Sequence, residues 1–199
     1  QNLVFARSVT FLVLDTTNPF ADGRVLPAGR QREPIAALNR ADAIIVTRSD
    51  HPFDLDALQR TVRRYNPGAT LYFSHHDLTG ARDVANGPLV SIGILAGRRV
   101  LVASAIGNPE AFESDLAHYQ LEIAAHHRFP DHHAYTQQDL DFLLAEADRL
   151  AIEYLVTTEK DAVKLRGLHF PSARLLEVIA ETRMEDERAF LDWLEGYIG

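Results

Sequence analysis

The sequence predicts an α/β protein with a mostly parallel sheet, and three observations carry that prediction. Short runs rich in β-branched and aliphatic residues alternate with capped amphipathic segments, the pattern that builds parallel strands covered by helices. The 199 residues are 46% hydrophobic, 24% charged and 9% aromatic, which is ordinary globular usage and excludes collagenous, disordered and low-complexity chains. No repeat of fixed period and no Ser/Gly-rich linker interrupts the alternation, so the length fits one domain or a pair of small ones. One sheet, or two sheets sharing a hinge near residues 80 to 90, is expected, with a first domain over 1–85 and a second over 86–199.

Val9 to Asp15 (VTFLVLD) reads as the first strand, apolar enough to be buried on both faces. Thr16 to Gly29 carries Asn18-Pro19, Asp22-Gly23 and Pro27-Ala28-Gly29, too many breakers for regular structure. Glu33-Pro34 opens a short helix through Asn39, with proline near the first turn where its missing N–H is harmless. Ala43 to Thr47 is the second strand. Asp54 to Tyr65 has helical spacing and stops at Asn66-Pro67-Gly68. Leu71 to Ser74 is a short strand. Pro88 to Leu95 and Val100 to Ile106 flank Gly97-Arg98-Arg99 and are expected to form a hairpin. Asn108-Pro109-Glu110 caps a helix to about Tyr119, and Leu121 to Ala125 follows as strand. Thr136 to Asp139 is a capping-box variant before a helix whose buried face is Leu140, Leu143, Leu144 and Ala147. Tyr154 to Thr157 is a strand, Thr158 to Asp161 repeats the helix-start signal, and Leu175 to Ile179 and Glu185 to Tyr197 close the fold.

A net charge of −8 argues against general electrostatic binding to nucleic acid. The lack of cysteine excludes disulfide scaffolds and thiolate metal sites. No apolar run approaches the roughly 18 residues that span a bilayer. The sequence begins at Gln1, and its single methionine is Met184, so an upstream segment is expected. Of 20 basic residues only Lys160 and Lys164 are lysines, both inside one short segment. Ammonium and guanidinium are not interchangeable, which draws attention to that segment.

Three stretches carry chemistry. His126-His127-Arg128-Phe129-Pro130-Asp131-His132-His133 crowds four imidazoles and a carboxylate beside a strand end. Adjacent histidines on an extended chain point to opposite sides, which argues against a shared metal and leaves a polar surface loop or one acid/base imidazole. Thr158-Glu159-Lys160-Asp161-Ala162-Val163-Lys164-Leu165 runs from a strand into a helix, the place where open α/β sheets collect ligands. There Lys160 is a phosphate or ion-pair partner, or the segment is a capped helix facing solvent. The loop Leu26 to Pro34 brings Arg24, Arg30 and Arg32 near Glu33. Guanidinium forks suit phosphate, and Glu33 suits a divalent cation or a helix cap. No G-x-x-x-x-G-K-[ST] string occurs anywhere.

Taken in order, V-L-D-x-x-x-P-F with L-P-A-G-x-x-R-E-P, then R-A-D-A-I-I-V-T, F-P-D-H-H-x-Y and T-T-E-K-D-A-V-K-L resemble the tetraacyldisaccharide 4'-kinase (lipid A 4'-kinase) family over essentially the whole chain. The resemblance implies a P-loop-NTPase-like three-layer α/β/α sandwich represented here without its N-terminal P-loop half, 1–85 being the rest of the kinase domain. It implies transfer of the γ-phosphate of ATP, with Mg²⁺, to the 4'-hydroxyl of a tetraacylated disaccharide 1-phosphate lipid in lipopolysaccharide synthesis. It also implies work at a membrane surface, on the cytoplasmic face of the Gram-negative inner membrane, together with the missing N-terminal half. Residue by residue, His132 of the D-H string falls on the family's catalytic His, which pairs with an Asp of the missing half to deprotonate the sugar hydroxyl; Asp131 beside it is counted with the catalytic residues, as is Arg32 of the R-E pair. Glu33 falls on the metal ligand, and Gln1, Arg32, Glu159, Lys160 and Asp161 fall at the cofactor. Such a portion is expected to be inactive alone. The alternative is a stand-alone α/β module that binds a phosphorylated glycolipid or a protein partner.

Overall fold

Phe11–Asp15 forms β1 and Ala43–Thr47 forms β2, paired in parallel with Leu12 opposite Ile44. Thr70–Asp83 forms β3, parallel to β2 with Ile44 opposite Leu71. The structure is a computed structural model. It describes residues 9–20, 23–29, 31–85, 87–170 and 174–198. The chain falls into two compact units, one reaching to His76 and taken up again from Thr182, the other Asp77–Glu181. This grouping differs from the division at 85/86 read from sequence, because the C-terminal segment joins the first unit.

In the first unit a 3-10 turn over Ile35–Arg40 and the helix α1 (Leu55–Tyr65) cover one face. Leu14, Leu38, Ile44, Val46, Leu58 and Val62 make the core between them. Asp54 caps α1 by accepting the Ala57 N–H at 2.8 Å. Asn66, just past the helix, donates its side-chain amide to the Leu38 and Ala41 carbonyls, both at 2.8 Å, which ties α1 to the turn. On the other face α5 (Glu187–Ile198) sets Phe190 and Trp193 against Phe11 and Tyr72, with ring centroids 5.1 to 5.9 Å apart. β1 is not buried on both faces as its composition predicts. Val13, on the Phe11 side of the pleat, is 60% exposed; among the described residues β1 is the outermost strand, bonded to β2 alone.

The second unit is built from β4 (Arg99–Ser104), α2 (Pro109–His118), β5 (Glu122–Arg128), α3 (Gln137–Arg149), β6 (Tyr154–Thr158), α4 (Glu159–Leu165) and the start of β7 (Leu175–Met184). β4 runs parallel to both β5 and β6, and β6 is parallel to β7. Leu101, Ala103, Leu140, Leu143, Ala147, Leu155 and Leu165 pack on the α3/α4 side. Val100, Val102, Phe112, Leu116, Val156 and Val178 pack on the α2 side. This is a helix, sheet, helix sandwich, and it explains why the expected hairpin around Gly97 does not form. With Val100 to Ala103 fully buried, β4 has to lie between parallel neighbours rather than at a two-stranded edge. Pro88 to Leu95 instead gives one antiparallel bridge, Ala81 to Val90, and a 3-10 turn over Ile92–Leu95.

β3 reaches Asp83 rather than Ser74, and β7 reaches Met184 rather than Ile179. Val84 N–H donates to the Leu175 carbonyl and Glu185 N–H to the Phe73 carbonyl, so the two strands are antiparallel. Among the described residues seven strands are bonded in the order β1-β2-β3-β7-β6-β4-β5, all neighbours parallel except β3 and β7.

Candidate active site

In the second unit the parallel strands deliver their carboxyl ends side by side, and of the polar residues singled out by sequence Asp131, His132, Glu159, Lys160 and Asp161 follow those ends. Asp131 and His132 sit in the loop after β5. Glu159, Lys160 and Asp161 form the first turn of α4, directly after β6. Thr158 caps that turn by accepting the Asp161 N–H at 3.1 Å.

Lys160 reaches across to Asp131, Nζ to Oδ1 at 3.2 Å. The Lys160 hydrogen bond, helped by the neighbouring His132, holds the Asp131 carboxyl below the usual aspartate range. His132 is 76% exposed on its side chain and has a backbone φ of 63°. Its Nε2 lies 3.6 Å from Asp131 Oδ2, and its backbone N–H donates to the Ala105 carbonyl at 3.3 Å. An open imidazole beside an anionic carboxylate is suited to taking a proton from an approaching hydroxyl. Glu159 accepts the Ala180 N–H at 3.3 Å. Asp161 is fully buried, with both carboxylate oxygens occupied by protein donors, so its side chain is turned away from any ligand at the strand ends.

The other histidines divide as strand alternation requires. His126 points inward, Nε2 2.8 Å from Ser104 Oγ and Nδ1 on Glu113. Burial pushes the His126 imidazole below its ordinary value despite that carboxylate. Burial works against ionisation of Glu113, yet the hydrogen bonds from Arg128 and His126 together keep its carboxyl below the ordinary range. His127 turns the other way, edge-on to Phe142. His133 bonds Asp139 at 3.1 Å and stacks on Phe129. Sequence reasoning missed the Ser104-His126-Glu113 chain. No sequence signal marked it: simple alternation groups His126 with the exposed Glu122 and Ala124, a register shift of β5 against β4 between Val100 and Leu101 changes that phase, and Glu113 arrives from a different element.

In the first unit the loop from Asp15 to Pro34 is stitched by backbone bonds, Leu26 N–H to Gln31 O at 2.9 Å and Gln31 N–H to Arg24 O at 3.1 Å. A Cβ at Gly29 would meet Arg24 at 2.3 Å, so only glycine fits that close approach. The loop borders a cavity of about 550 Å³ lined by Phe11, Val13, Phe20, Gln31, Arg32 and Glu33 among others. Arg32 is exposed there. Glu33 is paired with Arg40, and no group of three or more His, Asp or Glu side chains converges among the described residues. Magnesium commonly keeps several waters and takes one or two carboxylates besides phosphate oxygens. Glu33 could serve it as one oxygen ligand of that kind. Arg32 and Glu33 thus belong to one unit and Asp131, His132, Glu159, Lys160 and Asp161 to the other. Gln1 and Arg30 lie outside the described residues.

Fold and site define an α/β protein whose polar residues gather at the carboxyl ends of parallel strands. The chain belongs to the tetraacyldisaccharide-1-P 4'-kinase family, whose model matches residues 1–198. It is 38% identical over 167 residues to the tetraacyldisaccharide 4'-kinase of Anaeromyxobacter sp. (strain K), covering 83% of this chain and 44% of that protein. It is 30% identical over 200 residues to the protein of that name from Desulfatibacillum aliphaticivorans, covering 98% and 53%. The solved "apo" form of LpxK from Aquifex aeolicus, in complex with ATP, superposes with a TM-score of 0.64 at 24% identity, over 98% of this chain and 54% of that one. The chain therefore spans about half the length of the relatives it matches.

Proposed function

We propose that this chain is the part of a lipid A 4'-kinase that supplies the proton-accepting and charge-stabilising residues. The reaction is transfer of the γ-phosphate of ATP to the 4'-hydroxyl of a tetraacylated disaccharide 1-phosphate. Asp131 and His132 would receive the hydroxyl proton, Asp131 fixing the imidazole and His132 acting as base. Lys160 would keep Asp131 anionic and turned toward His132, and together with Glu159 it would border the phosphates. Arg32 would stabilise charge on the transferring group, with Glu33 as an oxygen ligand of Mg²⁺. Magnesium, when bound, neutralises phosphate charge.

The observation that carries this reading is the Lys160 to Asp131 pair beside the exposed His132, in a chain whose family match covers nearly its full length. The sequence holds no G-x-x-x-x-G-K-[ST] string, so the nucleotide cradle of the reaction would come from outside these residues. No helix among the described residues is long and apolar enough to cross a membrane. Action on lipid at the cytoplasmic face of the inner membrane would then rest on surface contact or on other parts of the protein.

The test is phosphate transfer from labelled ATP to tetraacyldisaccharide 1-phosphate, with the full open reading frame that encodes this chain. Transfer is expected, with a loss of about a hundredfold or more in His132→Ala, and none from the 199-residue chain alone. Absence of transfer where the Anaeromyxobacter relative is active would refute the kinase reading. Unchanged turnover in His132→Ala would refute the role given to that imidazole.

A further inference from the structure

Asp161 is a buried carboxylate that the proposed chemistry leaves without a task. It is 0% exposed, and three donors surround it. The Ala105 N–H reaches Oδ2 at 2.8 Å, the Thr158 hydroxyl reaches the same oxygen at 3.0 Å, and Lys164 Nζ reaches Oδ1 at 2.9 Å. Two of these bonds are local to α4 and would serve any capped helix. The third is not, since Ala105 is the first residue after β4 and lies 56 positions away.

The other side of Ala105 supplies the connection. Its carbonyl accepts the backbone N–H of His132 at 3.3 Å. His132 holds φ at 63°, a left-handed conformation that costs a non-glycine residue energy and persists only where the surroundings impose it. Its neighbour Asp131 is held from the same turn of α4 by Lys160. The Asp131-His132 pair is thus gripped twice from one helical turn, once by the Lys160 side chain and once through Ala105 by Asp161. Lys164 completes the anchor: its ammonium bonds Asp161 and lies 5.8 Å from the centre of the Tyr135 ring, in the same loop as His132.

We propose that Asp161 is a positioning residue for His132: it anchors the N–H of Ala105, and the carbonyl of that same residue, one peptide unit on, holds the His132 backbone in its left-handed turn, with Lys164 as the counter-ion that seats the carboxylate. The geometric claim stands on its own. Its catalytic consequence rests on the kinase reading above.

The test is NMR of the isotope-labelled full chain carrying Asp161→Asn, which preserves shape but leaves Lys164 without its anion. The expected result is loss of the left-handed coupling signature at His132 and about tenfold faster exchange of its amide, with the Leu155 and Val156 amides of β6 unchanged. A His132 that keeps its signature overturns the proposal, as does a change shared equally by β6 and α4, which would make Asp161 a helix cap only. Should Asp161→Asn fail to fold, Lys164→Gln gives the same readout, and changes confined to α4 would overturn the proposal. In the full reading frame, Asp161→Asn is expected to lower kcat with the KM for ATP within about twofold of the parent, whereas a raised KM at unchanged kcat would overturn it. A parent enzyme that transfers no phosphate refutes the kinase reading and leaves the NMR result to decide the positioning role.

Discussion

Lys160 Nζ lies 3.2 Å from Asp131 Oδ1, so the first turn of α4 holds the loop that follows β5 by a charge-assisted bond. Both side chains are about half exposed, which makes the pair a small contributor to stability and leaves its effect on the Asp131 carboxyl as its consequence. Lys160→Ala is expected to leave the urea midpoint nearly unchanged while the Asp131 carboxyl titrates at higher pH. Carboxyl ¹³C shifts followed through a pH series check both parts.

His126 is buried between Ser104 and Glu113, and burial lowers its affinity for a proton. The unfolded chain therefore binds a proton at this position more readily than the folded one. Stability from neutral His126 is complete above the unfolded value of about 6.5 and declines as the pH falls from there toward the depressed folded value. Urea unfolding across that range is expected to show the decline, and His126→Gln to flatten it. A parent profile that stays flat below neutrality would exclude the effect.

Glu177 is fully buried on β7 and bonded to Arg82 Nε at 2.7 Å and Arg166 Nη2 at 2.8 Å. Glu177→Ala leaves two guanidinium groups without their acceptor and is expected to cost about 3 kcal/mol of unfolding free energy. Arg82→Met should cost less, because Arg166 still pairs with the carboxylate. Equilibrium denaturation of the two variants gives the comparison.

Thr136 and Asp139 form a reciprocal cap on α3, the Asp139 N–H on Thr136 Oγ1 at 3.2 Å and the Thr136 N–H on Asp139 Oδ2 at 2.8 Å. Thr136→Ala is expected to cost about 1 kcal/mol. Amide exchange in the first turn of α3 should quicken while that of β4 does not, which separates a local cap from a global loss.

Local signals were readable where one element suffices to satisfy them. The capping box at Thr136 gave α3, Asn108-Pro109 gave α2, and the apolar run Ala43–Thr47 gave β2 with the bounds observed. The length of β3 was not readable, since beyond Ser74 it carries His75, His76 and Asp77, whose place in a strand depends on pairing with distant β7. The hairpin reading of Gly97 failed for the same reason: the turn lacks the favoured Asn-Gly chemistry, and the neighbours of β4 come from later in the chain.

Sequence picked out Asp131, His132 and Lys160 of the second unit and the Arg32-Glu33 pair of the first by residue type and motif, and the α/β class and family followed from the same strings. Only the tertiary structure put Lys160 on Asp131 and turned Asp161 away from solvent onto the Ala105 N–H. An alanine offers its N–H and carbonyl to a partner without leaving any mark in the sequence, and which backbone group a buried carboxylate meets is set by strand order. Strand order depends on which apolar faces can be covered together, a condition on the whole chain that no local pattern contains.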